Sequence, residues 1–215
     1  TPSPDGDENL LREGVEPGRI RFVGNVMIDT LVRMLPRARS RLEAVRSEAR
    51  LPERFALATL HRPGNVDDPG ALREIMTGLG AVADDLDLDL AFPVHPRTRG
   101  RLREFGIDVP GERIRLLDPL GYIDFLALTA GAALVITDSG GVQEETTYLG
   151  TPCLTVRPNT ERPVTITEGT NRLVEARRDA ILDAAREALD GDRVAGRPEL
   201  WDGKTAGRIA DALLE

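Results

Sequence analysis

From Arg54 onward, short apolar runs alternate with helix-length segments of mixed character. The runs are Phe55–Leu60, Leu88–Val94, Ile114–Leu117, Ala133–Thr137 and Cys153–Val156. Strands that are apolar on both faces must be covered on both. Helix-length spacers between such strands predict βαβ units and a parallel sheet. The spacers place helices at about Pro69–Asp84, Thr98–Phe105, Ile123–Thr129 and Val142–Leu149. Asn171–Val174 reads as an edge strand, and Ala180–Leu189 and Thr205–Leu214 as closing amphipathic helices. Before Arg54 the pattern is less regular. Ile20–Val23 reads as a short strand ending at Gly24-Asn25. Val26, Ile28, Leu31, Val32 and Leu35 then recur at helical spacing until Pro36, which predicts a stop. Arg37–Arg50 is predicted as a separate, charged surface helix. The first dozen residues are acidic and turn-rich and read as linker. The expected fold class is α/β, a doubly wound parallel sheet with helices on both faces.

Composition narrows the partners. The 215 residues are 40% hydrophobic and 30% charged, with 28 basic against 36 acidic side chains and a net charge of −8. Nucleic acid and anionic membranes reward a basic surface, so neither is expected as the main partner. An anionic ligand remains open, provided the basic groups that meet it are local. Arg far outnumbers Lys, which supplies planar forks suited to phosphate. The lone Cys153 excludes an internal disulfide and fits a reducing compartment, so a cytoplasmic location is expected. No apolar run approaches the roughly 20 residues that span a bilayer. The chain opens on Thr1-Pro2-Ser3-Pro4 without a starting Met, and reads like the interior of something longer.

The chemically useful residues cluster on this map. His61-Arg62 follows the first predicted strand, His95-Pro96-Arg97 the second, Pro119–Tyr122 the third, Asp138–Gly141 the fourth and Arg157 the fifth. Each lies just past the carboxyl end of a parallel strand, the edge along which open α/β sheets bind ligands. The fourth position is the sharpest. Val135–Glu145 reads as a buried strand, a tight turn and a helix start. Ser139 is expected to cap that helix through its hydroxyl. Gly140 and Gly141 leave backbone N–H groups open to an anion at the positive end of the helix dipole. Glu145, about two turns on, is placed to take both hydroxyls of a ribose. His61 reads either as a surface cap or as a group that bonds a phosphate or sugar hydroxyl or moves a proton. For His95 a strand-end turn and a ligand contact both stay open. Arg157 and Arg162 lie in a stiff loop with two prolines, and either face a diphosphate or pair with Glu161 at the surface. Tyr122 and Phe125 either flank a base or belong to the core. Cys153 reads as a buried small hydrophobe.

Taken together, Thr59–Asp67 with its His-Arg-x-x-Asn pattern, Pro93–Arg99, Pro119–Phe125, Thr137–Glu145, Thr160–Pro163 and Glu168–Asn171 resemble the carboxyl-terminal half of non-hydrolysing UDP-N-acetylglucosamine 2-epimerases. The match runs from about Gly24 to the end. It implies one Rossmann-like half of a glycosyltransferase-B-type architecture, with residues 1–24 as linker or remnant of an amino-terminal domain and 25–215 as the UDP-binding domain. It implies interconversion of UDP-N-acetylglucosamine and UDP-N-acetylmannosamine by elimination and return of UDP, with no cofactor and no metal, and a homodimer at full length. Carried over by residue, Ser139, Gly140 and Gly141 would hold the diphosphate and Glu145 the ribose. Phe125 would meet uracil through its backbone, Arg162 would approach the phosphates, and His61 would be catalytic, near the glycosidic oxygen. Arg62, Asn65, His95 and Arg157 complete the expected substrate-binding set. Some members carry Arg-Glu where this chain has Pro63-Gly64, so a role for that Glu does not transfer. The family's acid/base carboxylates belong to the amino-terminal domain. A glycosyltransferase of similar architecture, a hydrolysing epimerase and a non-catalytic nucleotide-sugar sensor remain as alternatives.

Overall fold

The expected apolar runs and the edge strand form one sheet: β1 (Phe55–Thr59), β2 (Asp89–Pro93), β3 (Ile114–Leu117), β4 (Leu134–Thr137), β5 (Cys153–Val156) and β6 (Asn171–Val174). In the computed structural model, which describes residues 1–191 and 196–214, their order is β3-β2-β1-β4-β5-β6 and every pairing is parallel. The chain therefore winds outward through β2 and β3, returns to the middle, and winds out the other way. The reversal lies between β1 and β4, where Thr59 pairs with Thr137. Such a switch point opens a crevice at the carboxyl ends of the two strands.

The helices are α1 (Pro4–Arg12), α2 (Val26–Glu48), α3 (Pro63–Val66), α4 (Pro69–Asp85), α5 (Pro96–Glu104), α6 (Tyr122–Gly131), α7 (Gly140–Leu149), α8 (Val164–Thr167), α9 (Arg178–Asp190) and α10 (Thr205–Leu214). Strand alternation decides which helices cover which face. Ala56 and Ala58 of β1 join the cluster made with Leu72, Ile75 and Leu79 of α4, Leu102 of α5 and Ile181 of α9. Phe55 and Leu57 point the other way, to Val45 of α2, Leu128 of α6 and Val142 of α7. Both faces are thereby closed. No helix among the described residues is long and apolar enough to cross a membrane.

Three differences from the sequence reading concern the amino-terminal part. Ile20–Val23 is not a strand; a 3₁₀ turn at Pro17–Arg19 leads into extended coil there. Residues 4–12, read as linker, form α1. Ser3 at the N-cap position, Pro4 at the first turn and Asp5 and Asp7 behind it are helix-start chemistry as much as turn chemistry. The helix beginning at Val26 also does not stop at Pro36 but runs on to Glu48. An interior proline costs about 3 kcal/mol. Burial of Ile28, Leu31 and Val45, each worth about 1.5–3 kcal/mol, exceeds that cost. The start of α2 is secured twice. Asn25 accepts the Met27 N–H at 2.9 Å, and Gly24, at φ +91°, passes so close to Leu200 that a Cβ would meet its carbonyl oxygen.

Candidate functional site

The crevice at the β1–β4 switch is organised around Asp138, the residue directly after β4. Its side chain is fully buried, yet it is charged, so it must be paired. It accepts the His61 N–H on both oxygens at 3.1 Å, the Arg62 N–H at 2.9 Å and the Asn65 Nδ2 amide at 3.2 Å. The His61 Nδ1 lies 3.0 Å from its Oδ1. Burial pushes this carboxyl up, but the imidazole and the N–H groups of His61 and Arg62 outweigh burial and hold it below the usual carboxylate range. An ionised carboxylate can only accept, so the His61 Nδ1 carries the proton. The Nε2 is then left to act in the crevice. The sequence reading placed Asp138 in a motif but gave it no role. The signal was available: a carboxylate directly after four buried strand residues.

Asp138 also fixes its neighbours. Arg62 donates through Nε to the Asp138 carbonyl at 3.0 Å, and Asn65 bonds the Val156 carbonyl at 2.8 Å. Asn65 is therefore buried and ties the loop after β1 to the ends of β4 and β5. His95 caps α5, its Nδ1 accepting the Arg97 N–H at 3.2 Å. Its ring centroid is 6.3 Å from that of His61, so the two histidines do converge. Arg97 itself turns away and, with Arg101, pairs with Asp67.

The turn after β4 differs in one respect from the expected cap. The Ser139 hydroxyl makes no capping bond to α7. The Thr137 hydroxyl accepts the Ser139 N–H instead, at 3.0 Å, and so tightens the turn from the strand side. The first α7 N–H with an intrahelical partner is that of Gln143, on the Ser139 carbonyl at 3.3 Å. The N–H groups of Gly140, Gly141 and Val142 precede it at the positive helix end. A Cβ on either glycine would meet nothing within 4 Å, so both sites have open space in front of them. Open N–H groups at a positive helix end are able to receive an anion.

In the second turn of α7, Glu144 and Glu145 are both buried. Arg162 donates through Nε to Glu144 at 2.6 Å. Burial pushes Glu144 up and Arg162 only partly offsets it. Glu145 is raised to about 7 by burial, with the adjacent Glu144 adding to the shift and the Tyr122 hydroxyl opposing it. A carboxyl that burial shifts this far is unusual and marks a candidate functional group. Phe125 packs against the core cluster, while its N–H bonds the Gly121 carbonyl and its carbonyl accepts the Thr129 hydroxyl. The N–H groups of Tyr122, Ile123 and Asp124 precede it at the start of α6. Arg157 is buried and forks onto Glu161 through two bonds of 2.7 Å. Among the described residues no group of three or more His, Cys, Asp and Glu could hold a metal ion. The site thus offers helix-end N–H groups, two arginines near an edge, a carboxylate for a diol and one oriented imidazole. These are the parts needed to hold a nucleoside diphosphate.

A family model described as UDP-N-acetylglucosamine 2-epimerase matches residues 1–214. The chain is 36% identical over 217 residues to the UDP-N-acetylglucosamine 2-epimerase of Methanocaldococcus jannaschii, covering 99% of this chain and 59% of that protein. It is 37% identical over 211 residues to the UDP-2,3-diacetamido-2,3-dideoxy-D-glucuronate 2-epimerase of Pseudomonas aeruginosa, covering 97% of this chain and 57% of that one. The crystal structure of the M. jannaschii UDP-GlcNAc 2-epimerase in complex with UDP-GlcNAc and UDP superposes with a TM-score of 0.90 at 37% identity, covering 100% of this chain and 60% of that one. The chain therefore spans about three-fifths of the length of these relatives.

Proposed function

The chain belongs to the UDP-N-acetylglucosamine 2-epimerase family, and from that premise we propose that its carboxyl sheet edge is the UDP-binding half of a nucleotide-sugar 2-epimerase. The observation that carries this reading is the meeting, at one carboxyl sheet edge, of the open α7 N–H groups and the Asp138-oriented His61, with the buried Glu145 in the second turn of α7. The diphosphate lies on the N–H groups of Gly140, Gly141 and Val142, with Arg162 beside it. Glu145 takes the ribose diol. The uracil edge meets the free N–H groups at the start of α6 rather than the engaged backbone of Phe125.

The reaction proposed interconverts UDP-N-acetylglucosamine and UDP-N-acetylmannosamine. The C2 proton leaves, the C2 electron pair forms the C1–C2 double bond, and the C1–O bond breaks toward UDP. The 2-acetamidoglucal then takes UDP back at C1 with a proton on the other face of C2. To steady the glycosidic oxygen as charge develops on the leaving UDP, His61 Nε2 must donate a hydrogen bond, so in this step the ring carries a proton on both nitrogens and the Asp138 carboxylate balances its charge. Carboxylates on both faces of C2 are assigned to the portion of the relatives that this chain does not span. The 215-residue chain is therefore expected to bind UDP without turnover. Epimerisation by that chain alone contradicts the division of labour.

The full-length protein tests the reaction. Incubated in heavy water with UDP-N-acetylglucosamine, it is expected to place deuterium at C2 and to form UDP-N-acetylmannosamine. A glycosyltransferase exchanges nothing at C2, and a hydrolysing enzyme releases free N-acetylmannosamine. Running the UDP-2,3-diacetamido-glucuronate substrate in parallel decides between the two sugars named for the relatives.

Gly141→Ala separates binding from folding. The new methyl meets open space, and alanine is favoured over glycine in a helix, so stability is expected to hold or rise by up to about 1 kcal/mol. The same methyl stands where the diphosphate must approach, and UDP affinity is expected to fall about tenfold or more, about 1.4 kcal/mol. Paired thermal melting and calorimetry check this. Equal UDP affinity in variant and wild type would place the anion elsewhere.

A further inference from the structure

Glu161 holds the position most open to question at this site. Its carboxylate is forked by Arg157, Oε2 on NH1 and Oε1 on NH2 at 2.7 Å each, and Oε1 lies 3.4 Å from the Arg62 NH1. Arg62 is in turn anchored through Nε on the carbonyl of Asp138, the residue before the Ser139-Gly140-Gly141 turn. A carboxylate gripped bidentately by one guanidinium with a second beside it reproduces what a phosphate group would receive there.

The two partners differ in freedom. The Arg157 side chain is 7% exposed and cannot turn to water for another anion, whereas that of Glu161 is 54% exposed. Glu161 also sits on the short loop between Pro158 and Pro163, outside any helix or strand, where the side chain can swing out without disturbing the sheet. The bonds from Arg157, above all, hold the Glu161 carboxyl down at about 2, so it is ionised at neutral pH.

We propose that Glu161 is an internal competitor for the diphosphate, a carboxylate that occupies the Arg62–Arg157 fork until a more highly charged group displaces it. It makes the site selective for diphosphate over weaker anions. A single carboxylate charge is outbid by a pyrophosphate group with two or three charges, but not by a monoanion. The inference rests on the UDP reading of the crevice and adds how the phosphates enter it.

Calorimetry on the 215-residue chain tests it with inorganic pyrophosphate and with UDP as separate probes. Glu161→Gln keeps the shape and one acceptor oxygen but removes the charge. It is expected to bind pyrophosphate about tenfold more tightly than wild type, and Arg157→Gln in the same chain is expected to abolish the gain. Pyrophosphate has neither uracil nor ribose, so a gain there with no UDP binding in either chain discards the nucleotide and keeps the competitor. Pyrophosphate binding that is equal, weaker or absent in Glu161→Gln overturns the proposal, and so does a gain that survives Arg157→Gln. If Glu161→Gln fails to fold, Glu161→Asp decides. It retreats from Arg62 by one methylene, and tighter pyrophosphate binding supports the proposal while unchanged or weaker binding refutes it.

Discussion

Replacing Asp138 with alanine is expected to destabilise the domain by about 3–5 kcal/mol, the range for removing one partner of a buried charged cluster. The carboxylate is the common acceptor for the N–H groups of His61 and Arg62, the Asn65 amide and the His61 imidazole. Alanine strands those donors in a buried place where water is a poor substitute. For a domain of this size each kcal/mol shifts the melting temperature by about 2–4 °C, so a fall of about 6–20 °C is predicted. Asp138→Asn keeps the volume but sets an NH2 group against donors, and is expected to lose most of the same stability. The pH dependence has a definite sign. The native carboxyl is held below its unfolded value, so its contribution is complete above about pH 4 and drains as the pH falls through the lowered native value. A melting temperature within about 2 °C of wild type for Asp138→Ala would show that the cluster carries no such energy.

Glu145→Ala is expected to act in the opposite manner, sparing the fold and removing the ligand. Two charge-assisted bonds to a ribose diol are worth about 2–3 kcal/mol together, a loss of about 30- to 150-fold in UDP affinity. Wild-type binding should also depend on pH through this group. Burial sets the Glu145 carboxyl at about 7 in the free protein, while a diol donating two hydrogen bonds favours the ionised form. Binding therefore expels a proton, and affinity rises with pH up to about 7 and levels above it. Between pH 6 and pH 8 the gain from this group is about tenfold. UDP's terminal phosphate titrates near 6 and adds its own slope. Glu145→Gln isolates the protein's share: it should bind weakly and retain only the slope that belongs to the ligand. The same raised value means that the buried carboxyl contributes least to folding above pH 7, so Glu145→Gln is expected to be at least as stable as wild type there. An unchanged pH profile in Glu145→Gln would remove Glu145 from the ribose.

The sheet was legible because each strand is apolar on both faces and each spacer is helix-sized. Those two periodicities are local, and local patterns survive translation into structure. The site was legible to the extent that it followed from the sheet. His61, His95, the Gly140-Gly141 turn and Arg157 all lie at strand ends on one edge, as the alternation requires. What escaped was decided by tertiary contact. Pro36 forbids an isolated helix from continuing, but α2 is clamped on both sides of it by Leu31 and Ala38 against Leu126 and Ala127 of α6. Asp138 is unremarkable until β1 and β4 are known to be neighbours, which brings two backbone N–H groups of the loop after β1 to its oxygens. The missing Ser139 cap is instead a local matter: the Thr137 hydroxyl two residues back tightens the same turn from the strand side. Arg157 and Glu161 are four residues apart and suggested a weak surface pair; burial of the arginine at the end of β5 is what turns that pair into part of the site.

The claim on which the rest depends is that the nucleoside diphosphate sits at the β1–β4 switch. Titrating ¹⁵N-labelled 215-residue chain with UDP and following the backbone amides tests it most directly. The account predicts the largest shifts at Gly140, Gly141 and Val142, with smaller ones at His61, Glu145 and the start of α6, all saturating at one affinity. Shifts confined to the far end of the sheet, or no shifts at millimolar UDP, would contradict it.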